Sequence, residues 1–230
     1  MNQILKYSLT FLLGLVSAWG SVVRAQPGTP DLPAVLYPAS DTSRPLLVYL
    51  SGDGGWNHFS TAFLQSLHSR GYAIVAFNSR NYFWRKKTAE QTARDINGLA
   101  SRYLGEWKRS RFILIGYSFG ADVAPFVVTR MEPALQERLV HLVLMSPSPK
   151  TDFEVHVSGL LGFSGGSGDS VPAETNKIRK PILLVFGDNE NEFPLGQLTI
   201  KNYSQIRLPG GHHYDGDPAG VATAIFKQLP

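Results

Sequence analysis

A serine flanked by glycines carries the clearest chemical signal in this chain. Residues 116–120 read Gly-Tyr-Ser-Phe-Gly, directly after the apolar run 112–115 and directly before a helix-compatible stretch that begins at Ala121. A G-x-S-x-G sequence between a buried strand and a helix forms a tight, strained turn that exposes the serine hydroxyl. The context therefore predicts that Ser118 is a nucleophile, although the five-residue pattern alone also occurs by chance.

A serine hydroxyl needs a neighbouring base, and the base needs an acid that orients it. After a turn of this kind, the acid comes next in the chain and the histidine follows it. Three carboxylates, Asp188, Glu190 and Glu192, follow the apolar run 182–186. The spacing Gly-x-x-acid with a proline four residues later, here Pro194, favours Glu190. The other two carboxylates remain alternatives, and a solvated acidic turn accounts for those that have no role.

Two histidines, His212 and His213, follow the apolar run 204–208. His212 stands directly after a glycine and two residues before an aromatic, Tyr214, which favours it as the base. His213 remains the alternative base and is otherwise expected to contact substrate. A histidine pair near aspartates could also bind a metal, but its spacing matches none of the common zinc patterns. The sequence therefore predicts neither a metal ion nor an organic cofactor.

Two backbone N–H groups are expected to stabilise the negative charge that develops on an attacked carbonyl oxygen. Phe119, directly after the serine, provides one. Residues 51–56 (SGDGGW) follow the apolar run 46–50 and provide the other, from Asp53 or Gly54. Glycines there let the backbone approach a substrate closely. A tight turn that only redirects the chain is the alternative interpretation.

The serine, the acids and the histidines each follow a short apolar run, as residues at the carboxyl ends of parallel strands do. Six strands are predicted, at residues 46–50, 73–77, 112–116, 139–145, 182–186 and 204–208. Helices are predicted between and after them, at residues 61–70, 89–107, 121–131 and 219–229. This alternation predicts an α/β fold with a mostly parallel sheet and helices on both faces. Residues 151–177 interrupt the pattern and are predicted to be a cap over the site or a flexible connection.

The N-terminus has the features of a secretory signal peptide. Lys6 precedes an apolar stretch at residues 9–18, and Val23-Arg24-Ala25 places small residues before a cleavage point at Gln26. An uncleaved anchor is the alternative, but the apolar stretch is shorter than the roughly 20 residues that a membrane span needs. We therefore expect a signal peptide at 1–25 and a single domain at 26–230.

Composition narrows the location and the partners. The chain contains no cysteine, which excludes a lipoprotein anchor, disulfides and thiolate chemistry. An exported domain without disulfides fits the bacterial periplasm. The formal net charge of +4 falls to +2 if Lys6 and Arg24 leave with the signal peptide, which argues against a nucleic-acid partner.

Four motifs, in this order along the chain, resemble the VirJ/AcvB family of bacterial periplasmic proteins. They are residues 51–56 (SGDGGW), 81–84 (NYFW), 115–122 (IGYSFGAD) and 210–217 (GGHHYDGD). The resemblance extends from about Leu46 to the C-terminus. It implies an α/β-hydrolase fold, with Ser118, an acid after Phe186, and His212 or His213 as a catalytic triad. It also implies hydrolysis of the lysyl or alanyl ester of aminoacyl-phosphatidylglycerol, and the family's link to virulence makes envelope proteins candidate partners.

Such a lipid would present an ester carbonyl, an ammonium group, a phosphate and two acyl tails. Asp53, Asp215 and Asp217 flank the expected pocket and are candidates to pair with the ammonium group. The residues expected to contact substrate are Gly54, Trp56, Tyr82, Trp84, His213 and Asp215.

Residues 82–84 (YFW) are bracketed by Arg80 and by residues 85–87 (RKK), a combination of aromatics and cations that suits an anionic lipid surface. The alternative is that the aromatics are core and the basic residues are solvated. Two other functions remain open. One is a general carboxylesterase or lipase, and the other is a non-catalytic envelope interaction protein built on a hydrolase scaffold.

Overall fold

The computed structural model describes residues 32–155 and 168–230. The predicted signal peptide and the centre of the 151–177 stretch lie outside the described residues. The described strands are β1 (Ala34–Tyr37), β2 (Leu46–Leu50), β3 (Ile74–Phe77), β4 (Phe112–Tyr117), β5 (Leu139–Met145), β6 (Lys150–Thr151), β7 (Asp169–Ser170), β8 (Ile182–Gly187) and β9 (Tyr203–Leu208). Seven of them form the main sheet in the order β1-β3-β2-β4-β5-β8-β9, with β1 antiparallel to β3 and all other pairs parallel, and β6 and β7 form a separate pair.

Helices cover both faces of the sheet. Those described are α1 (His58–His68), α2 (Ser79–Tyr82), α3 (Ala89–Glu106), α4 (Phe119–Thr129), α5 (Pro133–Arg138), α6 (Val171–Thr175) and α7 (Pro218–Phe226), with short 3₁₀ turns at Leu195–Gln197 and Tyr214–Gly216. Helices α3, α4 and α6 contribute to the apolar cluster on one face, and α1 and α7 to the cluster on the other. No helix within the described ranges is both long enough and apolar enough to cross a membrane.

The alternation of side chains along the central strands explains why two apolar layers form. In β2, Leu46, Val48 and Leu50 join the cluster on the α3/α4 face, whereas Leu47 and Tyr49 join the cluster on the α1/α7 face. All five side chains are fully buried. A strand that is buried on both sides must be apolar throughout, which is why the sequence shows short continuous apolar runs here.

The predicted fold class is confirmed, and each of the six predicted strands is present to within one residue at either end. The helix predicted at 61–70 begins three residues earlier, because the Asn57 side chain accepts a hydrogen bond from the Ser60 N–H (2.8 Å) and caps it. Gly71, which follows this helix, adopts a left-handed φ of 88°, a conformation that glycine adopts without steric cost. The antiparallel strand β1 was not predicted from the sequence.

The described parts of the 151–177 stretch include a pair of short strands and helix α6. Strands β6 and β7 pair antiparallel, with Lys150 opposite Ser170 and Thr151 opposite Asp169. Residues 156–167, the centre of the stretch predicted as a cap or flexible connection, lie outside the described residues. Helix α6 packs against α4, and Val171 is fully buried. Residues 171–175 therefore belong to the body of the fold and not to an excursion.

Candidate active site

Ser118 occupies a strained turn between β4 and α4. Its φ of 53° and ψ of −124° are unusual for a residue with a side chain, at a typical cost of about 1–3 kcal/mol. The Ser118 N–H donates to the Met145 carbonyl at the end of the neighbouring strand (2.8 Å), which ties the turn to the sheet. A Cβ at Gly116 would collide with the Gly120 carbonyl, and one at Gly120 would collide with the Leu50 carbonyl. The helix can approach the sheet this closely only because both positions are glycine.

His212 contacts both Ser118 and Glu190, so that three side chains form one chain of hydrogen bonds. The His212 Nε2 atom lies 2.8 Å from Ser118 Oγ, and His212 Nδ1 lies 2.9 Å from Glu190 Oε1. The two competing carboxylates, Asp188 and Glu192, are exposed. The structure thus brings together the three residues that the sequence favoured as nucleophile, base and acid.

Glu190 is held by donors on its second oxygen. Glu190 Oε2 accepts from the Gly187 N–H (2.6 Å) and from the Ser146 hydroxyl (2.7 Å). The Ser146 hydroxyl gives its one proton to Glu190, and therefore accepts from the Tyr214 hydroxyl, 2.7 Å away. The Tyr214 hydroxyl also lies 3.2 Å from the Val185 carbonyl. A buried series of hydrogen bonds therefore fixes the carboxylate from behind.

Sequence reasoning assigned no role to Ser146 and used Tyr214 only to choose between the histidines. Ser146 directly follows β5 and has a left-handed φ of 48°, which directs its hydroxyl toward the acid. Its position directly after a buried strand was the one sequence feature that could have indicated a role at the site. Tyr214 is 2% exposed, and its contact with Ser146 depends on the three-dimensional path of the loop after β9.

The environment shifts the pKa values of the acid and the base in opposite directions. Burial acts to raise the pKa of Glu190, but hydrogen bonds from His212, Gly187 and Ser146 outweigh it and leave that pKa lowered. Burial acts to lower the pKa of His212, but the hydrogen bond and charge of Glu190 outweigh burial and raise that pKa above its usual value. Glu190 is therefore ionised at neutral pH, and His212 is paired with a negative charge.

His213 has a different partner from its neighbour. Its Nδ1 lies 3.0 Å from the oxygen of the Tyr117 hydroxyl, whose one proton is donated to the His212 carbonyl (3.0 Å). The His213 side chain is exposed and lines the cleft in front of Ser118. This position suits the substrate contact that the sequence predicted for His213.

A cleft of about 650 Å³ opens onto Ser118. The ionisable residues on its walls include the carboxylates Asp53, Glu190 and Glu192, and the amides Asn57, Asn189 and Asn191 lie beside them. No lysine or arginine is among the described residues that line it. The cleft therefore favours a cationic or neutral group over an anionic one.

The segment expected to provide a backbone donor lies against the nucleophile. A Cβ placed on Gly52 would stand 3.2 Å from Ser118 Cβ and 3.7 Å from Ser118 Oγ, so the Asp53 N–H follows a residue in contact with the serine. Asp53 and Gly54 both line the cleft. Phe119 is the first residue of α4, and the first N–H groups of a helix have no partner within it.

Four of the predicted substrate contacts lie outside the cleft lining. Trp56 is half-buried against the α1/α7 cluster. Tyr82 is buried between core aromatics, and its hydroxyl donates to Asp95 (2.6 Å). Trp84 is 55% exposed. Asp215 is exposed, and its carboxylate lies over Gly210. The sequence predicted a substrate contact for each of these four side chains, and none of them is among the residues that line the cleft.

Asp122 is a buried carboxylate close to the site. Its Oδ1 accepts from the Ser148 N–H (2.5 Å), and it holds the loop that carries Ser146. Burial raises the pKa of Asp122 to about 7, despite the hydrogen bonds from Ser148.

Asp217, which the sequence offered as a partner for the substrate ammonium group, accepts from the Gly220 N–H (2.8 Å) and caps α7. Within 32–155 and 168–230, no group of three or more histidine, aspartate or glutamate side chains could hold a metal ion.

The sheet order, the strained serine between β4 and α4, and the acid and histidine after β8 and β9 define the α/β-hydrolase fold. Solved structures with this fold superimpose on most of the chain. Est1E from Butyrivibrio proteoclasticus matches with a TM-score of 0.64 and 16% identity over 91% of this chain and 97% of that one. MenH from S. aureus matches with a TM-score of 0.62 and 16% identity over 85% and 97%. A lipase-esterase related protein from Clostridium acetobutylicum ATCC 824 matches with a TM-score of 0.62 and 13% identity over 86% and 99%.

Residues 45–230 match the family model described as bacterial virulence protein (VirJ). The chain therefore belongs to the VirJ family, as its four motifs indicated. No curated protein matches its sequence.

Proposed function

We propose that this protein is a serine ester hydrolase that cleaves the aminoacyl ester of aminoacyl-phosphatidylglycerol, carrying lysine or alanine, in the periplasm. The observation that carries the hydrolase proposal is the continuous chain of hydrogen bonds from Ser118 through His212 to Glu190, at 2.8 and 2.9 Å. The esterase and lipase relatives share the fold at low identity and give general support. The aminoacyl lipid is supported by membership of the VirJ family and by the charge of the cleft.

In the proposed reaction, Ser118 Oγ attacks the ester carbonyl while His212 Nε2 takes its proton. Negative charge on the carbonyl oxygen is stabilised by the N–H groups of Asp53 and Phe119, each worth about 2.7–4 kcal/mol. The carbon–oxygen bond to glycerol breaks, and the protonated His212 gives its proton to the departing glycerol oxygen. Water then attacks the acyl-enzyme while His212 takes its proton. The bond between the acyl carbon and Ser118 Oγ breaks, and His212 returns the proton to Ser118 Oγ, which releases the free amino acid.

The charge of the cleft bears on which acyl group enters. An aminoacyl group carries an α-ammonium next to the carbonyl that is attacked. The Asp53 carboxylate belongs to the same residue as one proposed backbone donor, and no lysine or arginine among the described lining residues opposes an ammonium group. An Asp53–ammonium contact would also place the carbonyl beside Ser118. A fatty acyl group would gain nothing from this carboxylate.

The test is to incubate the purified protein with lysyl- and alanyl-phosphatidylglycerol and to measure the free amino acid. Ser118→Ala must abolish release, and a fluorophosphonate must label Ser118 in the wild type. Parallel turnover of p-nitrophenyl butyrate identifies a general esterase or lipase, which would cleave this ester well and the aminoacyl lipid poorly. Failure of both labelling and turnover would support the non-catalytic interaction protein instead.

A matched pair of variants tests the recognition of the ammonium group. Asp53→Asn keeps the size of the side chain and its backbone N–H but removes the negative charge. We expect it to raise KM for the lysyl and alanyl lipids about tenfold or more, the effect of losing one charge-assisted contact, and to leave turnover of the neutral butyrate ester within about threefold. An equal loss on both substrates would contradict the role of the carboxylate.

A further inference from the structure

A basic surface segment with an exposed tryptophan lies beside the active-site cleft. It consists of Arg80, Trp84, Arg85 and Lys86, and we call it the Trp84 patch. Trp84 is 55% exposed, and Val35 is the other exposed large apolar side chain that the described ranges contain. The three cations are exposed, and none takes part in an ion pair found within the described residues.

The patch is fixed to the site by contacts on both sides of it. A Cβ on Gly55, which lines the cleft, would stand 3.1 Å from the Arg80 Cβ. Phe83 is fully buried, and its ring packs edge-on against Phe119, the residue after the nucleophile, with centroids 5.0 Å apart. The Phe83 carbonyl accepts from the Val155 N–H at 3.0 Å. A buried anchor therefore holds Trp84 at the surface next to the nucleophile turn.

We infer that the Trp84 patch docks the protein on an anionic lipid bilayer, with the cleft facing the headgroups. Lysine and arginine side chains close to an anionic bilayer each strengthen binding roughly fivefold, and tryptophan partitions into the headgroup region. The cleft itself is lined by carboxylates, so the charge that attracts the membrane is separated from the charge that suits the ammonium group. The inference rests on the proposed function in one respect: docking would bring the ester of a membrane lipid to Ser118.

The test is co-sedimentation with vesicles of phosphatidylglycerol and phosphatidylethanolamine, and with vesicles of phosphatidylcholine. Wild type should bind the anionic vesicles, lose binding at high salt, and bind the neutral vesicles weakly. Arg85→Gln combined with Lys86→Gln should weaken anionic binding about thirtyfold, which is about 2 kcal/mol at 1.4 kcal/mol per tenfold. Trp84→Ala should weaken it about tenfold, the lower end of the value for burying a large apolar side chain.

Control variants remove the same charge or a similar apolar group elsewhere. Lys201 precedes β9 and Lys227 follows α7, so both lie at the sheet edge opposite the site, and both are exposed. Lys201→Gln combined with Lys227→Gln should leave vesicle binding within about threefold of wild type, and Val35→Ala is the control for Trp84→Ala. Equal loss in the patch and control variants, or equal binding to both vesicle types, would overturn the inference.

Two further measurements separate this inference from the proposed function. The patch variants and their controls at Val35, Lys201 and Lys227 should hydrolyse p-nitrophenyl butyrate at the wild-type rate, because none of these residues lines the cleft. Ser118→Ala should bind vesicles like wild type. If the patch variants bind normally while wild type cleaves the aminoacyl lipid, the docking inference is wrong and the enzymatic proposal stands. If vesicle binding depends on the patch but no ester is cleaved, docking stands and the enzymatic proposal is wrong.

Discussion

Replacing Glu190 by glutamine should disable the site by reversing one hydrogen bond. Glu190 Oε2 accepts from both the Gly187 N–H and the Ser146 hydroxyl, at 2.6 and 2.7 Å. The Gly187 N–H can only donate, so the carbonyl oxygen of the glutamine must occupy this position. The NH₂ group then lies where Oε1 was, 2.9 Å from His212 Nδ1, and donates to it. His212 must therefore carry its proton on Nε2, facing Ser118, where it cannot act as a base.

The expected loss is that of a histidine held in the wrong tautomer, about 10⁴ in kcat, which is about 5.4 kcal/mol at 1.36 kcal/mol per tenfold. The shape of the site should be unchanged, so KM should move little. The pH dependence supplies a second signature. In the wild type, activity should rise with pH as His212 loses its proton, with a midpoint above the usual histidine value because Glu190 raises its pKa. The residual activity of Glu190→Gln should rise at lower pH, since the negative partner is gone.

The assay is the steady-state turnover of p-nitrophenyl butyrate from pH 5 to 9, with nitrogen-15 chemical shifts of His212 to identify the tautomer. Glu192→Gln and Asp188→Asn are the matched controls, because they remove the same charge from exposed carboxylates of the same loop. Both should stay within about threefold of wild type in kcat, as expected for solvated charges. A Glu190→Gln enzyme within tenfold of wild type, or a control that loses activity by several orders of magnitude, would refute the assignment of the acid.

Three further outcomes follow from contacts around the site. His212→Ala should lower kcat by several orders of magnitude and His213→Ala by much less, because only His212 contacts Ser118; steady-state kinetics of both variants would detect the reverse order. Gly120→Ala should lower the free energy of unfolding by about 1–3 kcal/mol, since its Cβ would meet the Leu50 carbonyl, whereas Gly98→Ala in the open interior of α3 should raise it by about 0.5–1 kcal/mol, as urea titration would measure. Asp122→Asn should match wild type in unfolding free energy near pH 4 and exceed it at pH 8 by at most about 4 kcal/mol. Burial raises the pKa of Asp122 to about 7, so between pH 4 and pH 7 the folded state holds a proton that the unfolded state has lost, and the stability of the wild type falls as pH rises. Equal unfolding free energies of the two proteins at both pH values would contradict this.

The sequence was most informative where a single local pattern determines the backbone. The runs that became β2, β4 and β8 are apolar throughout because both faces of the sheet are covered, so their limits could be predicted to within one residue. The short edge strand β1 could not, since its four half-buried and exposed residues carry no such pattern. Glu190 could be preferred over its neighbours from spacing alone.

Side-chain direction was the part that local pattern could not supply. Tyr82 and Trp84 are two positions apart in one motif, yet Tyr82 is buried and donates to the half-buried Asp95, whereas Trp84 is exposed. The short helix α2 follows β3 and changes the direction of the chain just before Trp84. The motif itself does not indicate which of its side chains then points inward. The role of Ser146 could not be predicted from local pattern either. Its role depends on a left-handed φ and on a tyrosine 68 residues away.

The order of the strands explains why these distant residues form one hydrogen-bonded series. Strands β4, β5, β8 and β9 are neighbours and parallel, so their carboxyl ends lie side by side along one edge of the sheet. Ser118 follows β4, Ser146 follows β5, Glu190 follows β8 and His212 follows β9. The loop after β9 returns across this edge, which lets His212 reach Ser118 while Ser146 holds the far oxygen of Glu190. Each strand thus contributes one hydrogen-bonding group, and a change in the donor pattern at Glu190 must reach the nucleophile through the single imidazole between them.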